Sequence, residues 1–487
     1  MKAWSIILCF FILVIEGHSQ GNDNLWMLGY QCCQQNFGGT DINFITGSPL
    51  ISTSSRQMSF NITNASITDL SDNLLFYTNG WYIANSENDT MVNGSGLSLD
   101  PANSSFRQLG LPIVQGALIV PFDETSKKYY LFHEELCAPI VKPNKLFYTV
   151  IDMALDSGRG AVILKRQPLF YDTLDYGQIT ACRHANGRDW WITVPKANSD
   201  LYYIILSTPF GLSYTVQHLG FTILNTDGAG QSTFSPDGSK FARFAVDEGL
   251  NCFDFDRCTG TFSNIRNIPQ SAFPAWQGCE GVSFSPNSRF LYLSYCTYLY
   301  QVDTWDTSLV NSRILIDIYD GFTSPAATTF FSSKLARDGK IYMNSAGSVN
   351  TMHVINSPDS SGIACDFMQH SVSLPTYNAS TISTQPFFLL GAAAGSQCDS
   401  LLNEISNAEE KQFVLYPNPA LEFIKIHFNH FESYQATIFD LNGKILKKEN
   451  LSGNEEQILN LNEFASGIYF LKIETEKNHF YKRFIKE

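Results

Sequence analysis

Short apolar runs separated by polar turns occupy most of the chain, and one such unit repeats. Phe234 ends an apolar run, Ser235-Pro-Asp-Gly-Ser239 supplies turn residues, and Phe241 to Val246 resume an apolar strand. Side-chain oxygens of Ser and Asp cap backbone amides, proline presets φ, and glycine accepts a positive φ, so this composition reverses a chain. The unit returns as Phe284-Ser-Pro-Asn-Ser-Arg-Phe290 and, without the proline, as Leu335-Ala-Arg-Asp-Gly-Lys-Ile341. Weaker copies are Leu70-Ser-Asp-Asn-Leu74, Asp123 to Tyr130 and Arg183-His-Ala-Asn-Gly-Arg-Asp189. Equivalent turn residues are Asn73, Ser126, Gly187, Gly238, Ser288 and Gly339, at intervals of 53, 61, 51, 50 and 51.

Each turn is followed by a strand and then a partner strand. Leu201–Leu206, Leu250–Phe255, Tyr298–Val302 and Met352–Ile355 are such partners. About four antiparallel strands per ~50 residues, with no amphipathic helix, predicts an all-β fold, a β-propeller. A single blade leaves both faces uncovered, whereas closure into a ring covers each blade with its neighbours. Six copies are visible, and strand-like runs remain at 24–60 and at 363–392. The reading is seven four-stranded blades over residues 20–392, the seventh assembled from the two ends. Six blades with packed terminal extensions is the alternative.

The pattern changes after Ala392. Residues 393–411 are small and acidic and read as a linker. Residues 412–487 alternate cleanly, with Phe423, Lys425 and His427 against Ile424, Ile426 and Phe428, and Asp440-Leu-Asn-Gly-Lys444 is a hairpin signal. This predicts a small antiparallel β-sandwich. The tail holds 9 basic and 10 acidic residues, so all but one of the 14 net negative charges reside in the rest of the chain. That charge argues against a nucleic-acid partner, which needs a basic face, and against simple adsorption to an anionic membrane.

The N-terminus carries Met1-Lys2, an apolar run from Ala3 to Ile15, and Gly17-His18-Ser19. It reads as a signal peptide, residues 1–19, handled by the Sec export machinery. No later run is long enough to be a transmembrane segment. Cys9 leaves with the signal, and ten of eleven cysteines remain, an even number suited to an oxidising route. A two-residue turn at Asn287-Ser288 would place Cys279 opposite Cys296. Cys252 and Cys258 flank the turn Asp256-Arg-Cys-Thr-Gly260 and are a second candidate pair.

The tail resembles the type A C-terminal sorting domain of the type IX secretion system of Bacteroidetes. The resemblance rests on Leu415-Tyr-Pro-Asn-Pro-Ala420, Ile438-Phe-Asp-Leu-Asn-Gly-Lys444, Gly467-Ile-Tyr-Phe-Leu-Lys-Ile473 and Lys482-Arg-Phe-Ile-Lys486. It carries the sorting signal onto Pro417, Asn418, Pro419, Gly443, Gly467, Tyr469 and Lys482. It implies passage through the periplasm and across the outer membrane by the type IX machinery, after which such tails are usually cleaved and the cargo is released or attached to the surface. The repeats resemble the propeller-like region of secreted and gliding-motility-associated Bacteroidetes proteins, through Trp26 to Pro49, Arg183 to Trp191, Phe253 to Gly260, Arg337 to Tyr342 and His353 to Pro358. Ala336-Arg337 stands where that family commonly has a proline before Asp-Gly. This second resemblance implies a fold and a location but no reaction.

Catalytic signatures are sparse. His133-Glu134-Glu135 lacks a second histidine four residues on, and no G-x-S-x-G elbow or phosphate-cradling loop occurs. His184 could touch a ligand or serve as a base, but the sequence places no nucleophile or metal partner for it, so a strand-end histidine bonding between blades is the preferred reading. Trp190 and Trp191 could stack on a sugar ring, though adjacent strand residues point to opposite faces, so at most one lines a given surface. Asp227, Asp247, Glu248, Asp254 and Asp256 could offer oxygens to calcium, yet no loop pattern fixes a site and a solvated acidic face explains them. No cofactor is otherwise indicated. These observations point to a non-catalytic module that binds an extracellular protein or glycan. A hydrolase or lyase with acids converging in the channel is the alternative, and an accessory role in adhesion or gliding is a third reading.

Overall fold

In a computed structural model of the chain, Gly238 adopts φ +70° and its amide donates to the Ser235 carbonyl at 2.8 Å. Gly187, Ser288 and Gly339 do the same at φ between +61° and +78°, each bonding three residues back, to His184, Ser285 and Ala336. The repeated turns therefore share one conformation, which a residue without a Cβ adopts at least cost. The structure describes residues 22–30, 38–123, 126–139, 141–223, 230–245, 247–275, 278–399, 413–428, 434–440, 444–451, 456–474 and 479–486. The signal segment 1–19, Cys32, Cys33, Asp227, Gly443 and most of the linker lie outside them.

Each turn joins the first and second strands of a sheet. Among the described residues, seven antiparallel sheets precede residue 393, and strands follow one another across each in chain order. Five have four strands. The first (Leu25–Leu28, Gly39–Asn43, Leu50–Ser54) and the second (Ala65–Thr68, Leu74–Thr78, Ile83–Asn85) have three. The register of the sixth sheet pairs Glu280 with Tyr295 and Phe284 with Leu291, as the sequence pattern requires, although its turn spans four residues rather than two.

Apolar clusters lie between successive sheets all the way round. Phe234, Phe241, Phe253 and Phe262 meet Tyr202 and Ile204 between the fourth and fifth, and Leu250 and Phe244 meet Leu291 and Leu293 between the fifth and sixth. Trp26, Phe44 and Leu28 meet Tyr342, Met352 and Leu374 between the first and the last. A buried ion pair, Arg337 to Asp23, joins the same two sheets. The result is a closed β-propeller, in which the inner strands of the sheets are buried and the outer strands meet water.

The mode of closure differs from expectation. The first sheet is built entirely from N-terminal residues, and Phe367–Asn378 is the outer strand of the last sheet, so no blade is shared between the chain ends. Residues 379–393 instead run as an irregular strap along the inner strands. Thr381 Oγ1 donates to the Ile62 carbonyl and the Thr384 amide to the Asn64 carbonyl. Further along, Phe388 packs edge-on to Trp190 with ring centroids 5.2 Å apart, and the Ala393 amide donates to the Ala185 carbonyl at 2.8 Å. The strap thus enters the ring at the end opposite the repeated turns and leaves beside them. Cys398 is then joined to Cys258 by a disulfide.

This connection corrects the proposed Cys252–Cys258 pair. Cys258 sits in the turn and reaches the strap, whereas Cys252 lies within strand Gly249–Asp256, buried in the core with Phe244 and Ile268. Cys279 and Cys296 face each other across the hairpin, with sulfurs 2.9 Å apart.

The C-terminal unit is a two-sheet sandwich. Phe413–Tyr416, Phe423–Phe428 and Glu456–Asn460 form one sheet, and Ile445–Leu451, Tyr434–Phe439, Gly467–Glu474 and His479–Lys486 form the other, in that spatial order. Ile424 and Ile426 face the shared core with Ile438, Leu471 and Phe484. No helix among the described residues is long and apolar enough to cross a membrane.

Gly238→Val tests the turn as a building device. A Cβ there would lie 2.6 Å from Arg257 Cδ, 2.7 Å from Leu390 Cδ2 and 2.9 Å from Cys182 Sγ. Adding a β-branched residue at positive φ to that crowding is expected to cost about 2–5 kcal/mol. A melting temperature unchanged by the substitution would refute this reading.

Candidate functional site

A propeller's channel is its natural site for chemistry, and here the chain itself enters it. Residues 382–387 lie beside the inner strands, and a cavity of about 40 Å³ between them is lined by Gln115, Thr180, Gln231, Ser283, Ser333 and Lys334. All but Lys334 are neutral, and several are already engaged. Gln231 Nε2 donates to the Ser333 carbonyl at 2.7 Å, and Gln115 Nε2 to the Ser232 carbonyl at 2.9 Å. Lys334 Nζ donates to the Ser383 carbonyl at 3.1 Å and to Gln385 Oε1 at 2.8 Å, and stands over the Trp26 ring at 5.2 Å. Burial pushes Lys334 down to about 7, against the pull of Asp23. A lysine so placed has the protonation behaviour of a base or nucleophile, but its contacts are with the strap.

At the end of the ring away from the repeated turns lies a charged group that sequence reading did not bring together. Arg243 Nη2 meets Asp175 Oδ2 at 2.6 Å, Nη1 meets Glu248, and Nε donates to Gln178 Oε1 at 2.6 Å. The side chains of Arg243, Asp175 and Glu248 are 1, 2 and 4% exposed. Burial opposes the charge on Arg243, yet Glu248, Tyr202 and Asp175 hold its pKa above the ordinary value. Beside them Glu134 accepts from the Gly177 amide at 2.9 Å, and burial raises its carboxyl well above the carboxylate range. Apart from Glu248 these residues are far from Arg243 in sequence, and they follow no motif. Only the topology brings together a second-strand arginine, a residue before an inner strand and two residues from turns.

The predicted ligand contacts fall elsewhere and inside. His184 accepts at Nδ1 from the Asn186 amide at 3.0 Å, and its Nε2 lies 3.1 Å from the Cys258 carbonyl, so Nε2–H donates across to the next sheet. Burial lowers its pKa. It is a histidine that ties two sheets together. Trp190 is wholly buried against Phe388, with the Arg183 guanidinium 4.5 Å from its ring. Trp191 packs in the cluster with Phe234 and Tyr202, and its Nε1 donates to the Arg257 carbonyl at 2.8 Å. Neither indole lines a surface, because both faces of this sheet are covered. The expectation that one of them meets a ligand is therefore corrected.

The acidic residues considered for calcium separate. Glu248 serves Arg243, Asp254 accepts from Asn264 and Arg266, and Asp256 caps the turn at Cys258 and Thr259. Asp247 is exposed. No group of three potential metal ligands occurs among the described residues.

The sorting residues do converge. Asn418 Oδ1 accepts from the Ile485 amide at 2.8 Å, and the Ala420 amide donates to the Ile485 carbonyl at 2.8 Å. Gly467 pairs with Lys486, and Lys482 pairs with Leu471. Tyr469 is buried against Phe484 and Phe464, and its hydroxyl donates to the Ala465 carbonyl at 2.7 Å. Pro417 and Pro419 flank Asn418 in the segment that brings it to the final strand.

Solved structures resemble the chain at the level of overall shape. A functionally unknown protein from Desulfotomaculum acetoxidans DSM 771 aligns at 11% identity, with 74% of this chain and 99% of that one covered and a TM-score of 0.38. A putative 6-phosphogluconolactonase from Bacteroides uniformis ATCC 8492 aligns at 12% identity, covering 89% and 99%, with a TM-score of 0.37. The Cps50 (Swd1) β-propeller domain of Myceliophteria thermophila aligns at 10% identity, covering 68% and 93%, with a TM-score of 0.35. No curated protein matches the sequence. Residues 414–487 match the family model described as the secretion system C-terminal sorting domain, and this tail, a type IX sorting domain, addresses the chain to its secretion machinery for export to the cell surface or secretion.

Proposed function

We propose that this protein is an exported, non-catalytic binding module, a propeller that engages an extracellular protein or glycan through its outer surface. Residues 1–19 bring it to the periplasm as a signal peptide, and the sorting domain carries it across the outer membrane. The observation that carries this reading is the strap. Residues 382–387 occupy space where a channel substrate would sit, and Lys334, the one charged group in that lining, holds them. Rigid rings with variable peripheral loops suit recognition.

The acids around Arg243 favour one second reading, a hydrolase or lyase. Against it, Asp175 and Glu248 are both buried and paired with the same guanidinium. The test is incubation of the exported protein with surface polysaccharides and peptides, following both retention and product release. Retention without release of reducing ends, unsaturated sugars or new amines is expected. Turnover that disappears in Glu134→Gln or Asp175→Asn would replace the binding reading with the hydrolytic one.

A further inference from the structure

Trp305 alone among the described tryptophans is exposed, at 64%, while Trp26, Trp190 and Trp191 are buried and Trp81 is half-buried. It lies where the sheets differ. In the fifth sheet the third and outer strands, Gly249–Asp256 and Thr261–Pro269, are joined by a tight turn. In the sixth, the stretch from Tyr298–Asp303 to Ile314–Ile318 includes Trp305 and a short helix, Leu309–Ser312.

The segment that carries the indole is held in place, and the ring has a cationic neighbour. Its backbone amide donates to Asp303 Oδ1 at 3.0 Å. The Arg289 guanidinium, bound to Asp303 through Nε and Nη2, stands 4.9 Å from the ring. From the neighbouring sheet, Arg266 Nη1 donates to the Thr304 carbonyl at 2.7 Å. The backbone at this residue is held by both sheets and the ring is stacked by Arg289, so the exposed aromatic has less conformational freedom to lose on binding.

Trp305 borders a cleft of about 620 Å³ between the fifth and sixth sheets, whose other walls include Lys240, Asp254, Asn264, Arg266 and Asp306. The two cations balance the two carboxylates. Asn264 sits at φ +46°, beside a register shift in the outer strand, and donates its amide to Asp254 Oδ2 at 2.9 Å. Arg266 Nε is buried and has no hydrogen-bond partner among the described residues. A flat apolar ring beside planar carboxylate, amide and guanidinium groups matches the two kinds of surface of a pyranose, its C–H face and its equatorial hydroxyls.

We infer that this cleft is a binding site for neutral saccharides, with Trp305 as the stacking platform and Asp254, Asn264 and Arg266 as hydrogen-bonding groups. This assignment rests on the reading of the protein as a binding module and names its ligand class and site. Balanced charge in the cleft selects neutral sugars over uronic or sialic acids.

The exported protein is run in native gels cast with soluble neutral polysaccharides (a β-1,3-glucan, a xylan, a galactomannan and amylopectin) and, separately, with polygalacturonate. Retardation by at least one neutral polymer and none by polygalacturonate is expected. Trp305→Ala is expected to weaken that retardation at least about tenfold, with melting unchanged because the side chain is exposed. Trp305→Phe, which keeps a ring, should retain binding within about threefold, and Asn264→Ala should weaken it by about two- to tenfold. Retardation undiminished in Trp305→Ala overturns the cleft and leaves the binding-module reading standing. Retardation by polygalacturonate alone, or by none of the neutral polymers, overturns the ligand class. Breakdown of a polymer in the gel overturns the binding-module reading itself.

Discussion

Arg243→Met is expected to destabilise the ring by about 3–5 kcal/mol, because it strands two buried carboxylates without their cation. Asp175 and Glu248 both bond Arg243, and neither side chain is more than 4% exposed. In water each carboxylate would be solvated, and in the folded ring each depends on this guanidinium. The triple change Arg243→Met, Asp175→Leu, Glu248→Leu should cost less than the single one, since no charge is then buried unpaired. Chemical denaturation of the three proteins reads both numbers. A single substitution costing under about 1 kcal/mol, or a triple variant weaker than the single, would show that solvent reaches the acids and that the group is not a closed ion-pair network.

Cys398→Ser carries the second large effect. The Cys258–Cys398 bond spans a sequence separation of 140 residues. By the chain-entropy relation, closing a loop of that length restricts the unfolded chain by about 5 kcal/mol. Loss of the bond is expected to lower stability by up to that amount and to expose the strap to proteases before the sheets. Mass mapping under non-reducing conditions should recover the peptides of Cys258 and Cys398 joined. Recovery of Cys252 bound to Cys258 would overturn this connectivity.

The sequence revealed most of the ring and little of the site. Turns are local, so Ser235 to Ser239 and Ser285 to Arg289 announced themselves by composition, and their spacing implied a propeller. Cys279 and Cys296 were matched because a hairpin register is also local. Ring closure was not legible, because residues 379–393 form no strand and are held by side chains and carbonyls from several sheets, which leave no periodic trace. The buried Trp190-Trp191 pair misled for a related reason: alternation tells which face a residue points to, not whether that face is covered. The charged group at Arg243 owes its Gln178 and Asp175 partners, 65 and 68 residues away, to topology, and only Glu248 is local. Trp305 carried a faint signal, an aromatic in a connection longer than the tight turn of the preceding sheet.

The disulfide at Cys398 also sets how the molecule bears load. A pull on anything attached beyond residue 399 meets two covalent routes at Cys398, one back along the strap and one across sulfur into the turn at Asp256–Gly260. The shorter, stiffer route takes the tension. Force applied through the tail is therefore grounded in the fifth sheet, and the strap inside the ring is shielded from being unthreaded.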